Sequence, residues 1–146
     1  MQKEILLALL DQNRFNCHAT FKNITLENSH FKLNEKTASV GFIYRHIGET
    51  AIILGQSFGI ATTVENTTIG QSDTGKEYDL QTSHAYLEQG FKILEDTIKN
   101  SSDSDWLEET EAPFLGTLSR IRLFSIILFH NSHHCGQIAS AIVKGN

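Results

Sequence analysis

Pro113 is the only proline in this chain of 146 residues, and it constrains the fold more than any other feature. A proline inside a helix removes an N–H and clashes with the carbonyl four residues back. Nothing before position 113 imposes that break, so long helices are open to the chain, and four segments take the helical pattern. The first starts near Gln2, carries Ile5, Leu6, Leu9 and Leu10, and continues through Phe15 towards Phe21, ending around Asn23. The second runs from about Thr37 to Ser57, with Phe42, Ile43, Ile53 and Leu54 on one side. In the third, Leu80, His84, Leu87, Phe91, Leu94 and Ile98 step by alternating fours and threes, the narrow core-facing seam of a bundle helix. The fourth begins near Leu118 and passes through Leu123, Ile126, Ile127 and Ile138 to about Val143.

Polar connectors separate them. The stretch from Ala61 to Asp79, rich in Thr, Asn, Gly and Asp, reads as a long loop between helices two and three. Asn100 to Gly116 reads as a second, with Trp106 and Phe114 sealing one end of the bundle. Connections of this length are often functional or cross the bundle instead of making tight hairpins. The length suits one domain over residues 1–146. The expected fold is all-α, a four-helix bundle with long connections.

Composition removes several classes of function. With 17 acidic against 12 basic side chains, the net charge of −5 argues against non-specific nucleic-acid binding. Lys92, Lys99, Arg120 and Arg122 are too few and scattered to make a basic face. Two cysteines, Cys17 and Cys135, are too few for a disulfide scaffold. No apolar run approaches the roughly 18 residues of a membrane span. The run from Ile5 to Leu10 ends at Asp11, short for a signal-peptide core and without a small-residue cleavage pattern. A cytoplasmic protein without membrane contact is therefore expected.

Seven histidines are the compositional excess, and helical geometry sorts them. His130 and His134 are one turn apart on helix four, and Leu123, Ile126, Ile127, Gln137 and Ala141 lie within about 60° of His130. The pair therefore points into the apolar side. Two unpartnered imidazoles there would cost about 1–3 kcal/mol each, so something must satisfy them. Histidines at i and i+4 are the usual way to present adjacent nitrogens to one metal ion. On helix two, His46 shares a side with Phe42, Ile43, Thr50 and Ile53, so it too faces the core. Glu49, one turn on, fits a ligand, an acceptor for an imidazole N–H, or a general base. Three histidines with open positions are the arrangement of a catalytic metal.

The remaining candidates carry less. His133 lies about 60° off on the other side of His130 and could chelate with it, but His134 sits beside the apolar row through Ile127 and Ile138 and is preferred. His84, at a seam position of helix three, reads as a core histidine, with lining the site as the alternative. His18 and His30 carry no signal. Cys135 points about 140° from His130 and reads as an inert thiol at a helix surface or dimer contact. Cys17 has no visible partner. Gln137 returns to the histidine face, where it can orient a ligand or a bound substrate.

Three stretches carry a family resemblance. They are Leu10-Asp11-Gln12-Asn13-Arg14-Phe15-Asn16, Ser39-Val40-Gly41 through His46-Ile47-Gly48-Glu49, and His130 through Gln137. Together they resemble, over essentially the whole chain, the DinB/YfiT superfamily of small metal-binding four-helix bundles. The resemblance implies an up-down-down-up bundle and a divalent metal held by His46, His130 and His134, and it favours His134 over His133. Cys135 stands where the family usually has Arg. Members are described as thiol-dependent S-transferases, isomerases or hydrolases, often homodimeric.

The function expected is a metal-dependent enzyme of thiol S-transferase or hydrolase type, acting on a small molecule such as a low-molecular-weight thiol. Zinc or nickel comes first among the metals, with manganese or iron also compatible; the imidazole ligands themselves suit several transition metals. Glu49 and Gln137 are the candidate catalytic residues. The alternative is a non-catalytic metal-binding or stress-associated bundle, whose mark would be a closed shell completed by Glu49 or His84.

Overall fold

The structure, a computed structural model, describes residues 2–146. Four helices account for most of it: α1 (Gln2–Phe21), α2 (Val40–Gly55), α3 (Leu80–Asn100) and α4 (Arg120–Lys144). Each expected helix is present, within about three residues at either end. Two starts are set by caps. Ser39 Oγ accepts from the Phe42 N–H at 3.3 Å, and Asp79 Oδ1 accepts from the Thr82 N–H at 2.7 Å, satisfying donors that a helix start leaves bare.

Inter-helix contacts define the topology. Asn13 meets Leu128 and Ser132, and Cys17 one turn further along meets Cys135, so α1 and α4 run parallel. Lys3 reaches the Lys99 carbonyl and His18 meets Glu88, so α1 and α3 are antiparallel. Gly48 lies against Leu87, and Gly55 against Ile93, so α2 and α3 are parallel. The order is up-down-down-up, and the consecutive parallel pair α2 and α3 requires a long crossover, which the connector from 61 to 79 supplies.

Glycine sets the approach of α2 to α3. A Cβ on Gly48 would lie 2.9 Å from the Leu87 backbone nitrogen, and one on Gly90 would lie 2.6 Å from the Ala51 Cβ. This close packing makes α2 the most enclosed helix: 14 of its 16 residues are buried, with only Arg45 and His46 half-buried. The core joins Leu10, Ile47, Leu87, Phe91, Leu94, Leu123, Phe124, Ile127 and Ile138.

Several expectations change. In α1 the buried row is Leu6, Leu10, Asn13, Cys17 and Phe21, while Ile5, Leu9 and Phe15 face solvent. α1 packs on α3 and α4 without the loop cover that α2 receives from residues 61–79, so it buries a narrow stripe, and polar Asn13 stands in it. In α3 His84 is exposed, with Ser83, Gly90 and Thr97 joining the buried row instead. A stripe of 3.6-residue period drifts off a strict seam over five turns.

The connector from Asn100 to Gly116 is more ordered than a loop. It contains a 3-10 turn (Asp105–Leu107) and an antiparallel hairpin, β1 (Glu109–Ala112) with β2 (Gly116–Ser119). Pro113 begins the turn and Phe114 takes φ 68° after it, closed by the Leu115 N–H donating to the Ala112 carbonyl at 3.1 Å. That follows the type II pattern of proline and then positive φ. Trp106 is fully buried against Phe58 and Phe124 and seals the bundle end, whereas Phe114 sits out at the tip, 69% exposed.

The connector from 61 to 79 is a long loop, folded back over α2. Asp73 fastens it, accepting from the Ser39 N–H at 2.7 Å and lying 3.4 Å from the Lys32 ammonium. Burial pushes the Asp73 carboxyl up, but hydrogen bonds from Ser39 and Gly75 and the Lys32 charge outweigh it and hold the pKa below the usual range. Among the described residues no helix is long and apolar enough to cross a membrane.

Candidate metal centre

α2 and α4 pack with their histidine faces opposed. His46 of α2 and His130 of α4 bring their Nε2 atoms to 3.0 Å. His134, one turn further along α4, closes the triangle, with ring centroids 4.8 Å from His46 and 4.3 Å from His130. One nitrogen from each ring lies within 4.8 Å of the other two, the only such group of three potential ligands among the described residues.

The outer nitrogens of two rings are held from behind. His46 Nδ1 is 3.2 Å from Thr68 Oγ1, and His134 Nδ1 is 2.7 Å from Gln137 Oε1. An amide oxygen only accepts, so His134 carries its proton on Nδ1 and leaves Nε2 with its lone pair free. His130 Nδ1 and the Oδ1 of the adjacent Asn131 are buried without hydrogen-bond partners.

The electrostatics keep these rings neutral. Burial pushes His46 down to about 4, reinforced by His134 and opposed by Glu49. Burial likewise lowers His130 to about 3, with His134 and His46 adding to the effect, and lowers His134. Neutral imidazoles with one nitrogen each gathered within 4.8 Å are the donor set a divalent transition ion requires, so the residues present fit such an ion.

Glu49 is fully buried and stands outside the group of ligand nitrogens. Its carboxylate accepts from the Thr67 N–H at 2.9 Å, the Thr67 hydroxyl at 2.6 Å and the Thr68 hydroxyl at 2.7 Å, with an Arg45 guanidinium nitrogen 3.9 Å away. Asn66 shapes the loop beneath, its Oδ1 accepting from the Ile69 N–H at 2.7 Å and the Thr68 N–H at 3.2 Å. Thr67 and Thr68 escape sequence reasoning. They stand in a polar loop, and their carboxylate partner lies 18 and 19 residues away on another element.

The site opens on one side. A cavity of about 730 Å³ is lined by His46 and His134, by Phe42, Ile43 and Ala141 from the helices, and by Thr68, Gly70 and Gln71 from the loop. Gln137, Ser140 and His133 border it from α4, and Lys36 brings a positive charge. His133 faces solvent, stacked on Phe129, and stands outside the cluster.

Other candidates fall elsewhere. His84 Nδ1 is 2.9 Å from the Tyr44 hydroxyl, in a separate groove between α1 and α3. Neither His84 nor Glu49 closes the shell. Cys135 is buried, not at a free surface, and meets the equally buried Cys17. Pointing away from the histidines still means pointing into protein, because α4 is covered by α2 on one side and α1 on the other. Contact with Cys17 and burial raise the Cys135 thiol, and both cysteines are free.

Three inward imidazoles at the seam of an up-down-down-up bundle define a class of protein, a helical bundle with a candidate metal centre. The chain belongs to the DinB superfamily, whose sequence pattern matches residues 9–138. Among solved structures it is similar to TT2238, described as a four-helix bundle protein. That likeness has a TM-score of 0.61 at 17% identity and covers 92% of this chain and 95% of that one; it bears on the fold alone. Comparison with curated proteins finds no match.

Proposed function

We propose that His46, His130 and His134 hold a divalent metal ion, zinc or nickel ahead of manganese or iron. In this reading the protein is a metal-dependent enzyme, a thiol S-transferase or a hydrolase, acting on a small molecule admitted through the cavity. The carrying observation is the convergence of three ligand nitrogens within 4.8 Å beside an open cavity of about 730 Å³. A divalent ion on three neutral imidazoles keeps its full charge, which makes a thiol or a water a nucleophile near neutral pH.

The chain's own groups supply the rest. Gln137 borders the cavity and accepts a hydrogen bond from His134 Nδ1–H, so it orients a ligand. Phe42, Ile43 and Ala141 make the wall apolar and limit water. Lys36 offers an ammonium to an anionic group on the substrate. Glu49, buried behind the Thr67 and Thr68 hydroxyls, acts on the site through them. The alternative, a non-catalytic metal-binding bundle, calls for a closed shell; the cavity beside the histidines supports the catalytic reading over it.

The test is elemental analysis of untagged protein, followed by a screen of thiol transfer to electrophiles and of ester hydrolysis with and without chelator. About one equivalent of metal is expected in the wild type and in His133→Ala, and none in His130→Ala. A wild-type protein without measurable affinity for zinc, nickel or manganese removes the proposal.

A further inference from the structure

We propose that Thr68 is a positioning residue of the metal centre. Its hydroxyl, committed to the buried Glu49 carboxylate, fixes the tautomer of His46, and this makes the loop from 61 to 79 part of the site. The inference rests on reading the three histidines as metal ligands and goes beyond it by assigning what orients one of them.

The argument follows one proton. Thr68 is 1% exposed, and its Oγ1 lies 2.7 Å from Glu49 Oε2 and 3.2 Å from His46 Nδ1. A hydroxyl has a single proton to give, and a carboxylate only accepts. The Thr67 N–H and hydroxyl already donate to the same carboxylate, so Glu49 is the fixed acceptor at the end of the chain. The Thr68 proton therefore goes to Glu49, and Thr68 can only accept from the imidazole. His46 must carry its proton on Nδ1, which leaves the Nε2 lone pair facing His130 Nε2 at 3.0 Å. The opposite tautomer would put a proton where a metal ligand needs a lone pair.

The same contact organises the cavity. Thr68, Gly70 and Gln71 form its loop wall, so the hydroxyl that orients the ligand also seats the surface facing a substrate. The Glu49 carboxylate thus joins α2, the loop and the metal centre through two threonines.

The experiment uses the full chain with Thr68→Val and Thr68→Ser. Imidazole tautomers are read by two-bond proton–nitrogen NMR correlations in the metal-free protein, and zinc affinity by competition with a chromophoric chelator. Wild type and Thr68→Ser are expected to hold His46 in the Nδ1–H form. Thr68→Val is expected to populate the Nε2–H form and to bind zinc about 10–100-fold more weakly. Glu49→Gln serves if Thr68→Val does not fold. Its amide N–H can donate to Thr68 and free the hydroxyl proton for His46 Nδ1, shifting the tautomer the same way. An Nε2–H His46 in the wild type overturns the proposal. So does a foldable Thr68→Val, or in its place Glu49→Gln, with wild-type tautomer and zinc affinity. A wild type that binds no zinc defeats the metal reading instead, while the metal-free tautomers still decide the role of Thr68.

Discussion

At the scale of single residues, the centre is a compromise between burial and lone-pair availability. Folding places His46, His130 and His134 where protonation is disfavoured, so each pKa falls from its ordinary value near 6.5, to about 4 for His46 and about 3 for His130. The unfolded chain therefore binds more protons than the folded one below about pH 6.5, and stability rises with pH across that window. In chelator, the denaturant midpoint of the metal-free protein should be level above about pH 6.5 and fall as the pH drops towards 4. The double variant His46→Ala/His130→Ala should show a flatter curve over the same range; an equal slope would contradict the assignment. The inward His46, His130 and His134 were legible from spacing alone, because a side chain's direction on a helix follows from its position. Cys135 shows the limit of that reasoning. Its angle was right, but only the packing of α1 reveals that the far side of α4 is also interior.

At the scale of elements, α2 and α3 depend on the absence of side-chain atoms. Gly48→Ala places a Cβ against backbone at 2.9 Å, where neither helix can yield without moving. It should cost about 1–3 kcal/mol in urea unfolding. Gly136→Ala is the counterpart, since a Cβ there meets nothing within 4 Å. It should be neutral or gain up to about 1 kcal/mol from helix propensity. Similar effects for the two substitutions would mean that the α2–α3 contact is looser than described. The four helices were readable because hydrophobic periodicity persists over many turns. The hairpin of β1 and β2 was not: each strand has four residues, too few for an alternating pattern to stand out from a polar connector.

At the scale of the whole molecule, the candidate metal centre lies across the seam between α2 and α4, so binding of an ion there should stabilise the fold as a unit. Zinc at 100 times its dissociation constant adds about 2.7 kcal/mol. For a chain of this size that corresponds to a rise in Tm of about 5–10 °C, measurable by calorimetry and reversed by chelator. His130→Ala should show no rise. An unchanged wild-type Tm with saturating zinc would mean that the ion does not bridge the helices.

The amino-acid sequence by itself determined the helices, the bundle class and the inward direction of the three histidines, because these depend on local periodicity. The tertiary structure decided which groups meet. It brought His46 to His130 across 84 positions, paired Cys17 with Cys135, moved His84 to a different groove, and set Thr67 and Thr68 of a polar loop on the buried Glu49. Contacts of that kind depend on helix approach distances and loop closure, which no spacing along one segment encodes.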